Sequence, residues 1–287
     1  MSLHNSKKVF VCGYPVAHSR SPLVHNYWLQ KYQISGGYEK IAISPENFPN
    51  FLKSFQQLGF IGGNITLPHK ETAFTNIDIL DEAAKKIGAV NTLWIENGEL
   101  AGGNTDAYGF TANLDDKVPG WDKNSDRKAV MIVGAGGASR AIMYGLLQRG
   151  FSRIFLANRT IEKAEHLAME FGPHINPVPL GAVHPHLDSI ELLINTTSLG
   201  MHADDEFPFS IDALPKTALV TDIVYTPVNT GLLKSAKARG YKTIDGLGML
   251  LHQAAPGFQQ WFGVKPEVTA KLRKIVEADI ENARGSQ

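Results

Sequence analysis

The run Val130-Met-Ile-Val-Gly134-Ala135-Gly136-Gly137-Ala138-Ser139-Arg-Ala141 constrains the fold more than any other stretch of this chain. An apolar strand that runs into a glycine-rich turn opening a helix is the βα unit that binds the pyrophosphate of a dinucleotide. Gly134 permits the tight turn, and Gly136 lets the backbone approach the phosphates. Amide groups and the dipole at the helix N-terminus, from Ala135 to Ser139, then meet the negative charge. Ser139 takes the third fingerprint position, where glycine or alanine is usual; serine is small enough to keep helix and strand close. A glycine string of this kind also occurs as a plain tight turn. Here a strand precedes it, a helix follows and a second strand comes at the right distance, which favours the nucleotide reading. The turn sits in mid-chain. More than a hundred residues precede it, enough for a separate domain that holds whatever the cofactor reacts with.

The end of the second strand selects the cofactor. About 20 residues after the turn, NAD enzymes place an acid on the ribose hydroxyls. This chain has Asn158-Arg159-Thr160 there. A carboxylate would repel a 2′-phosphate, whereas Arg159 can pair with it through its planar fork and Asn158 and Thr160 can donate to it. The competing reading makes Arg159 a solvated loop residue and Thr160 a helix cap. Next to the glycine turn, NADP is favoured over NAD.

A chain of 287 residues with 43% hydrophobic content has room for two domains with real cores. The 28 basic and 28 acidic residues cancel, so nothing points to nucleic acid or an anionic membrane as partner. Cys12 is the only cysteine, which excludes an intrachain disulfide and a cysteine metal cluster. No apolar run approaches the roughly 18 residues of a membrane span. No signal-peptide core stands before the first strand, so a cytoplasmic location is expected.

Strand-like segments are read at Val9–Gly13, Tyr38–Ile43, Phe60–Leu67, Ala89–Ile95, Glu99–Gly103, Lys128–Val133, Arg153–Ala157, Leu192–Asn195, Leu219–Val224 and Lys242–Ile244. Asn97-Gly98 makes a hairpin of the fourth and fifth. Helices are expected from Ser21, as N-cap before Pro22, to Tyr32; from Ser44 to Gly59; over His69–Phe74, Ile79–Ile87, Asp106–Asp115 and Gly137–Arg149; from Thr160, as cap, to Gly172; and over Thr230–Arg239, Leu247–Phe262 and Pro266–Ala283. Asp115–Lys128 reads as a surface connection, and Pro256-Gly257 as a break in the helix pattern around it. The expected architecture is α/β in two domains. Residues 1–105 plus 246–287 form a mixed-sheet substrate domain, to which the C-terminal helices return. Residues 106–245 form a Rossmann-like domain with a parallel sheet, and the active site lies in the cleft between the two.

Four polar clusters fill the chain before the glycine turn: His18-Ser19-Arg20-Ser21-Pro22, Asn64-Ile-Thr66-Leu-Pro68-His69-Lys70, Ala89-Val-Asn91-Thr92 and Gly102-Gly103-Asn104-Thr105-Asp106. Hydroxyls and amides with one lysine and one aspartate suit a small, polyhydroxylated, singly charged molecule. Each residue also has a plainer explanation. Ser21 and Asp106 are good N-caps, Asn64 and Asn91 suit turns, and Lys70 could be an ordinary cation in a helix's first turn, where the macrodipole disfavours it.

Taken together, the clusters resemble the shikimate dehydrogenase family over nearly the whole chain. The strings Ser19-Arg-Ser21-Pro22, Gly63-Asn64-Ile-Thr66-Leu-Pro68-His-Lys70, Gly88-Ala-Val-Asn91-Thr92, Gly103-Asn104-Thr105-Asp106-Ala-Tyr-Gly109, the Gly134 turn, Asn158-Arg159-Thr160, Asn195-Thr-Thr-Ser-Leu-Gly200-Met201, Asp222-Ile-Val-Tyr225-Thr-Pro227 and Asp245-Gly246-Leu-Gly248-Met249-Leu-Leu-His-Gln253 follow the family's order. The resemblance implies reversible reduction of 3-dehydroshikimate to shikimate with NADPH, by a monomer or homodimer and without a metal. It implies Lys70 as proton donor and acceptor with Asp106 beside it, and Ser19 and Ser21 on the substrate carboxylate. Asn64, Thr66, Asn91, Tyr225 and Gln253 would line the substrate site. Gly246 and Met249 would approach the nicotinamide, and Glu82 and Ile223 match positions near the cofactor. His69 departs from the family's frequent phenylalanine, which implies more polar surroundings for Lys70, and His252 stands where small or apolar residues are common. A quinate or dual-specificity enzyme is the nearest rival. A glutamyl-tRNA reductase would need a nucleophilic cysteine, but Cys12 lies in an apolar strand. A non-catalytic NADP sensor would have no use for the Lys70/Asp106 pair.

Overall fold

The computed structural model describes residues 7–202 and 205–285. The chain divides into two compact units. It passes from the first to the second between Ala107 and Tyr108, returns between Leu250 and Leu251, and crosses again between Val276 and Glu277.

The first unit contains β1 (Lys7–Gly13), α1 (Ser21–Lys31), β2 (Gly36–Ala42), α2 (Phe48–Ser54), β3 (Phe60–Ile65), α3 (Lys70–Thr75), β4 (Ile79–Leu80), α4 (Glu82–Ile87), β5 (Thr92–Glu96) and β6 (Glu99–Gly103). Its six-stranded sheet runs in the order β2-β1-β3-β5-β6-β4 and is mixed. β1 pairs parallel with β2 and β3, while β3–β5 and β5–β6 are antiparallel. The β5–β6 hairpin turns at Asn97 and Gly98, with φ of 52° and 88°, the left-handed pair that such a turn demands.

The two glycines inside β3 have steric reasons. A Cβ on Gly63 would stand 2.6 Å from the Phe10 ring, and one on Gly62 would overlap both the Leu93 carbonyl and the Trp261 indole nitrogen. Phe10 is the hub of the core, edge-on to Phe51, Phe55 and Phe60 at 5.1–5.5 Å between ring centroids. Trp261 donates its indole N–H to the Leu93 carbonyl at 2.7 Å, so the later helix docks on β3 and β5 through a buried hydrogen bond.

The second unit begins within α5 (Asp106–Lys117) and continues through β7 (Ala129–Val133), α6 (Gly137–Gln148), β8 (Arg153–Asn158), α7 (Ile161–Phe171), β9 (Ile175–Pro179), β10 (Ile190–Asn195), β11 (Leu219–Asp222), α8 (Gly231–Ala238) and β12 (Lys242–Ile244). Its strands are all parallel in the order β12-β11-β10-β7-β8-β9. Numbered from β7, this is the doubly wound order, with its switch point between β7 and β10. Val130 and Ile132 pack with α6 on one face, while Met131 and Val133 pack with α8 on the other. Burial on both faces explains why β7 reads as an unbroken apolar run. α9 (Leu247–Phe262) and α10 (Ala270–Gly285) each run through a unit boundary, and the last turns of α10 group with the second unit.

Several local expectations are corrected. Ser21 is the first residue of α1 and Arg20 its N-cap, without a capping side chain. The segment from Ser44 contains only the short α2, between turns. Ile79 and Leu80 form an edge strand beside β6, and Asp81 caps α4 by accepting the Ala84 N–H at 2.6 Å. Asp106 does not cap its helix; Asn104 Oδ1 takes the Asp106 N–H at 3.0 Å. Thr160 holds the N-cap position of α7, but its hydroxyl does no capping. β9 escapes the sequence reading because Pro177 and Pro179 interrupt it, which an edge strand tolerates. Trp121, inside the expected surface connection, is buried, with its indole on Asp115 at 2.9 Å. Pro256 sits within a continuous α9.

Candidate active site

In the first unit the loops at the carboxyl ends of β1 and β3 converge with those before β5 and after β6. Lys70 opens α3 just after the cis Leu67–Pro68 bond. Its ammonium donates to Asp106 Oδ2 at 2.6 Å, and its backbone carbonyl accepts the Val90 N–H at 2.9 Å. The side chains of Lys70 and Asp106 are 26% and 17% exposed, so the ion pair stands at an accessible surface and not in the core.

Asn91 carries the network inward. Its amide nitrogen donates to Asp106 Oδ1 at 2.8 Å and Thr105 Oγ1 at 3.0 Å, while its Oδ1 accepts the Thr105 N–H at 2.9 Å. Asn64 donates to the Asn91 carbonyl and Thr92 Oγ1, and accepts the Tyr38 hydroxyl at 2.6 Å. Burial holds the Tyr38 phenol well above its usual range, opposed by a hydrogen bond from Ser21. Ser19 Oγ accepts the Ser21 N–H at 3.3 Å. Gln253 joins through Thr105 Oγ1 at 3.4 Å. Thr66 is half-buried and held by its backbone, with its N–H on the Cys12 carbonyl.

The structure thus brings Lys70, Asp106, Asn91, Asn64, Ser19, Ser21 and Gln253 into one constellation. It also supplies Tyr38 and Thr105, to which the sequence reading gives no role. Thr105 lies inside a quoted string, whereas Tyr38 gives no sequence signal, since an aromatic residue in a strand reads as core. The implied polarity around Lys70 does not materialise. His69 is buried, stacked on Phe48 at 4.3 Å, and its Nε2 is engaged by the Ile43 carbonyl at 2.7 Å. Burial pushes its pKa below the usual value.

The other assigned positions lie in the second unit, except for Glu82, an exposed residue at the start of α4 that faces Lys85. Gly134 has φ of +106°, and a Cβ there would meet Thr197 Cγ2 at 2.7 Å. The Thr196 hydroxyl donates to the Val133 and Gly134 carbonyls and fastens the turn to the end of β10. A Cβ on Gly136 or Gly137 would meet nothing within 4 Å, and both residues are exposed. Among the described residues, no side chain caps α6 and no acid lies in its first turn, so no side chain competes with an anion there, although the Ser139 N–H is already on the Gly136 carbonyl at 3.1 Å. Ser139 is fully buried, its hydroxyl on the Gly136 carbonyl at 2.6 Å.

At the end of β8, Asn158 Oδ1 accepts the Ala135 N–H at 3.1 Å and its amide donates to the Thr160 carbonyl at 2.7 Å, which ties this strand end to the glycine turn. Arg159 is exposed, and no carboxylate follows β8 where a ribose acceptor would stand. The donor set fits a dinucleotide bearing a 2′-phosphate. Gly246 packs against β11's exit, where a Cβ would collide with the Ile223 carbonyl, and Met249 and Ile223 are both half-buried against the same core cluster. Tyr225 lies in the loop after β11, before the cis Thr226–Pro227 bond.

A doubly wound unit with an open glycine turn, together with an α/β unit bearing a lysine–aspartate pair, defines a two-domain dinucleotide-dependent oxidoreductase class. The chain belongs to the shikimate dehydrogenase family. Residues 11–93 match the shikimate dehydrogenase substrate binding domain, 119–203 the shikimate / quinate 5-dehydrogenase model and 246–274 the shikimate 5′-dehydrogenase C-terminal domain. A shikimate dehydrogenase (NADP(+)) of Brucella abortus (strain S19) is 50% identical over 285 residues, 98% of each chain. The structure of the shikimate 5-dehydrogenase from Thermus thermophilus in complex with NADP(H) and shikimate is 34% identical, with a TM-score of 0.84 over 96% of this chain and 99% of that one. Quinate dehydrogenase from Corynebacterium glutamicum in complex with NAD is 30% identical, with a TM-score of 0.86 over 95% and 99%. Among the described residues, no helix is long and apolar enough to cross a membrane.

Proposed function

We propose that the protein catalyses the NADP-dependent, reversible reduction of 3-dehydroshikimate to shikimate. In this reading residues 1–105 plus 246–287 are the substrate domain and 106–245 the NADP domain. The observation that carries it is the Lys70–Asp106 ion pair, held by Asn91 at an accessible surface among hydroxyls and amides. When bound, NADPH supplies the hydride for the ketone carbon. Lys70 Nζ stands over the carbonyl oxygen, stabilises the negative charge that develops there and delivers the proton that completes the alcohol. Asp106 holds the ammonium in place and, in the oxidation direction, keeps a partner beside the lysine that takes the proton up. Ser19 and Ser21 hold the carboxylate; Asn64, Thr66, Asn91, Tyr225 and Gln253 hold the ring and its hydroxyls.

On the cofactor side, Gly134 to Ser139 cradle the pyrophosphate. Asn158, Arg159 and Thr160 receive the 2′-phosphate, with Arg159 as the charged partner. Ile223, Gly246 and Met249 face the nicotinamide, and Glu82 is the outlying assignment. The enzyme is a cytoplasmic monomer or homodimer acting on a small molecule. The test is a two-by-two assay of purified protein, shikimate and quinate against NADP⁺ and NAD⁺, followed by absorbance of the reduced nicotinamide. Shikimate with NADP⁺ is expected to give the highest kcat/KM. A higher value for quinate reverses the substrate assignment, and no turnover of either rejects the activity.

A further inference from the structure

Asp222 and Asn195 end the adjacent strands β11 and β10, face each other in register and are both fully buried. Asp222 Oδ1 accepts the Asn195 amide at 2.9 Å and the Val224 N–H at 3.0 Å. Its Oδ2 accepts the Thr230 hydroxyl at 2.7 Å. All three donors are neutral. Asn195 spreads the network: its Oδ1 accepts the N–H and hydroxyl of Thr197, its amide also reaches the Leu199 carbonyl, and its own carbonyl takes the Ile223 N–H at 3.1 Å. Next to it, Thr196 grips the Gly134 turn. The carboxyl ends of β7, β10 and β11 therefore hang on one sealed set of hydrogen bonds. Ionising a carboxyl there is unfavourable, and burial pushes Asp222 up to about 6. A side chain that accepts from three directions and donates to none suits this point, since an asparagine would bring two donors of its own.

We propose that Asp222 is a positioning residue for the reaction: through Oδ1 it sets the path of the Ile223–Tyr225 segment, while the Thr230 contact on Oδ2 only anchors α8. The inference rests on the functional reading above, which assigns Ile223 to the nicotinamide and Tyr225 to the substrate. Its consequence is a separation of two affinities. The adenosine end, at Arg159, lies on the other side of the Gly134 turn, at β8, and does not depend on Oδ1.

The test compares Asp222→Ala, Asp222→Asn, Asn195→Ser and Thr230→Val with the wild type, measuring kcat for shikimate oxidation and the Kd of 2′,5′-ADP, which carries the adenosine, its 2′-phosphate and one phosphate of the pyrophosphate but no nicotinamide. Asp222→Ala and Asn195→Ser are expected to lose kcat by about 100-fold, the effect of misplacing a reacting group by about 1 Å, with the 2′,5′-ADP Kd within about threefold. Asn195→Ser is the smaller truncation and carries the same expectation should Asp222→Ala fail to fold. Asp222→Asn, which can turn its remaining oxygen toward Val224 and Asn195, is expected to recover most of kcat. Thr230→Val is expected to keep kcat within about threefold while lowering Tm through the lost cap. Unchanged kcat in Asn195→Ser, a loss in Thr230→Val as large as in Asn195→Ser, or a parallel fall of kcat and 2′,5′-ADP affinity overturns the proposal. Wild-type protein that binds 2′,5′-ADP but does not turn over shikimate rejects the functional reading instead.

Discussion

Each unit places an aspartate at or just beyond a strand end, and the two are placed in opposite surroundings. Asp106 faces an ammonium, keeps part of its surface open and shares Asn91 with the polar pocket. Asp222 has, among the described residues, no cation beside it, no exposure and only neutral donors. A carboxylate with a mobile charged partner at an accessible surface can take part in proton movement. One sealed among neutral donors can only hold geometry, and its ionisation is disfavoured by burial. In the proposed reading the first would meet the substrate, and the second would set the loops that a cofactor uses.

The largest expected effect tests the first half of this contrast. Lys70→Ala leaves Asp106 without its counter-charge and the reacting oxygen without its donor, so kcat is expected to fall by roughly 10²–10⁴-fold. Cofactor affinity, measured by quenching of protein fluorescence, is expected to stay nearly unchanged. Unchanged turnover would remove Lys70 from the chemistry and erase the distinction between the two aspartates.

The second test concerns stability. The folded value of Asp222 lies near 6 against an ordinary 3.8, so its stabilising share is complete below 3.8 and disappears as pH rises through about 6. Asp222→Asn has no such dependence. The stability of the variant relative to wild type is therefore expected to rise by about 3 kcal/mol between acid and neutral pH, read from urea unfolding at each pH. A flat difference would mean that the carboxylate is far better solvated than its burial implies.

The smallest effect comes from a third buried titratable group. His25 is fully buried, lies flat on Tyr38 at 4.2 Å, and neither ring nitrogen has a hydrogen-bond partner among the described residues. Burial drives it down to about 3 from 6.5. Its folded value is depressed, so its contribution is complete above 6.5 and is lost as pH falls, by about 1.4 kcal/mol per pH unit. His25→Phe fits the aromatic cluster of Trp28, Phe258 and Trp261 and removes two unpaired nitrogens. It is expected to match or exceed wild-type stability at neutral pH and to gain about 2 kcal/mol on it near pH 5. Where Asp222 loses its contribution as pH rises, His25 loses its own as pH falls. A variant less stable at both pH values would show that the imidazole has a polar partner after all.

Much of this was legible in the sequence because the decisive signals are local. The β7 run and its glycines gave the doubly wound unit, and Asn97-Gly98 gave the β5–β6 hairpin. The Lys70 and Asp106 clusters gave the pair that the structure joins across 36 residues of sequence. What escaped depends on tertiary context. Ile79-Leu80 looks helical beside α4 and becomes a strand only because β6 offers an edge. Ser21 has the chemistry of an N-cap, yet the helix begins one residue earlier and its hydroxyl turns to Tyr38. Tyr38 lies in no recognisable string, and Asn195 and Asp222 open strings that give them no role, since what a buried polar side chain does is recognisable only when its partners arrive from distant strands. His69 shows the reverse error: a polar letter near the lysine belongs to the core.

The docking of Trp261 on the bare face of Gly62 bears on how the molecule is made. Residues 251–276 are the last part of the first unit to leave the ribosome, after nearly all of the second. Until they emerge, the Leu93 carbonyl has no indole to bind and Gln253 is missing beside Thr105. Residues 108–250, most of the second unit, are therefore made before the first unit can be completed, and the end of α10 that groups with the second unit follows last of all. No contiguous fragment of this chain can contain the whole substrate unit without the other threaded through it.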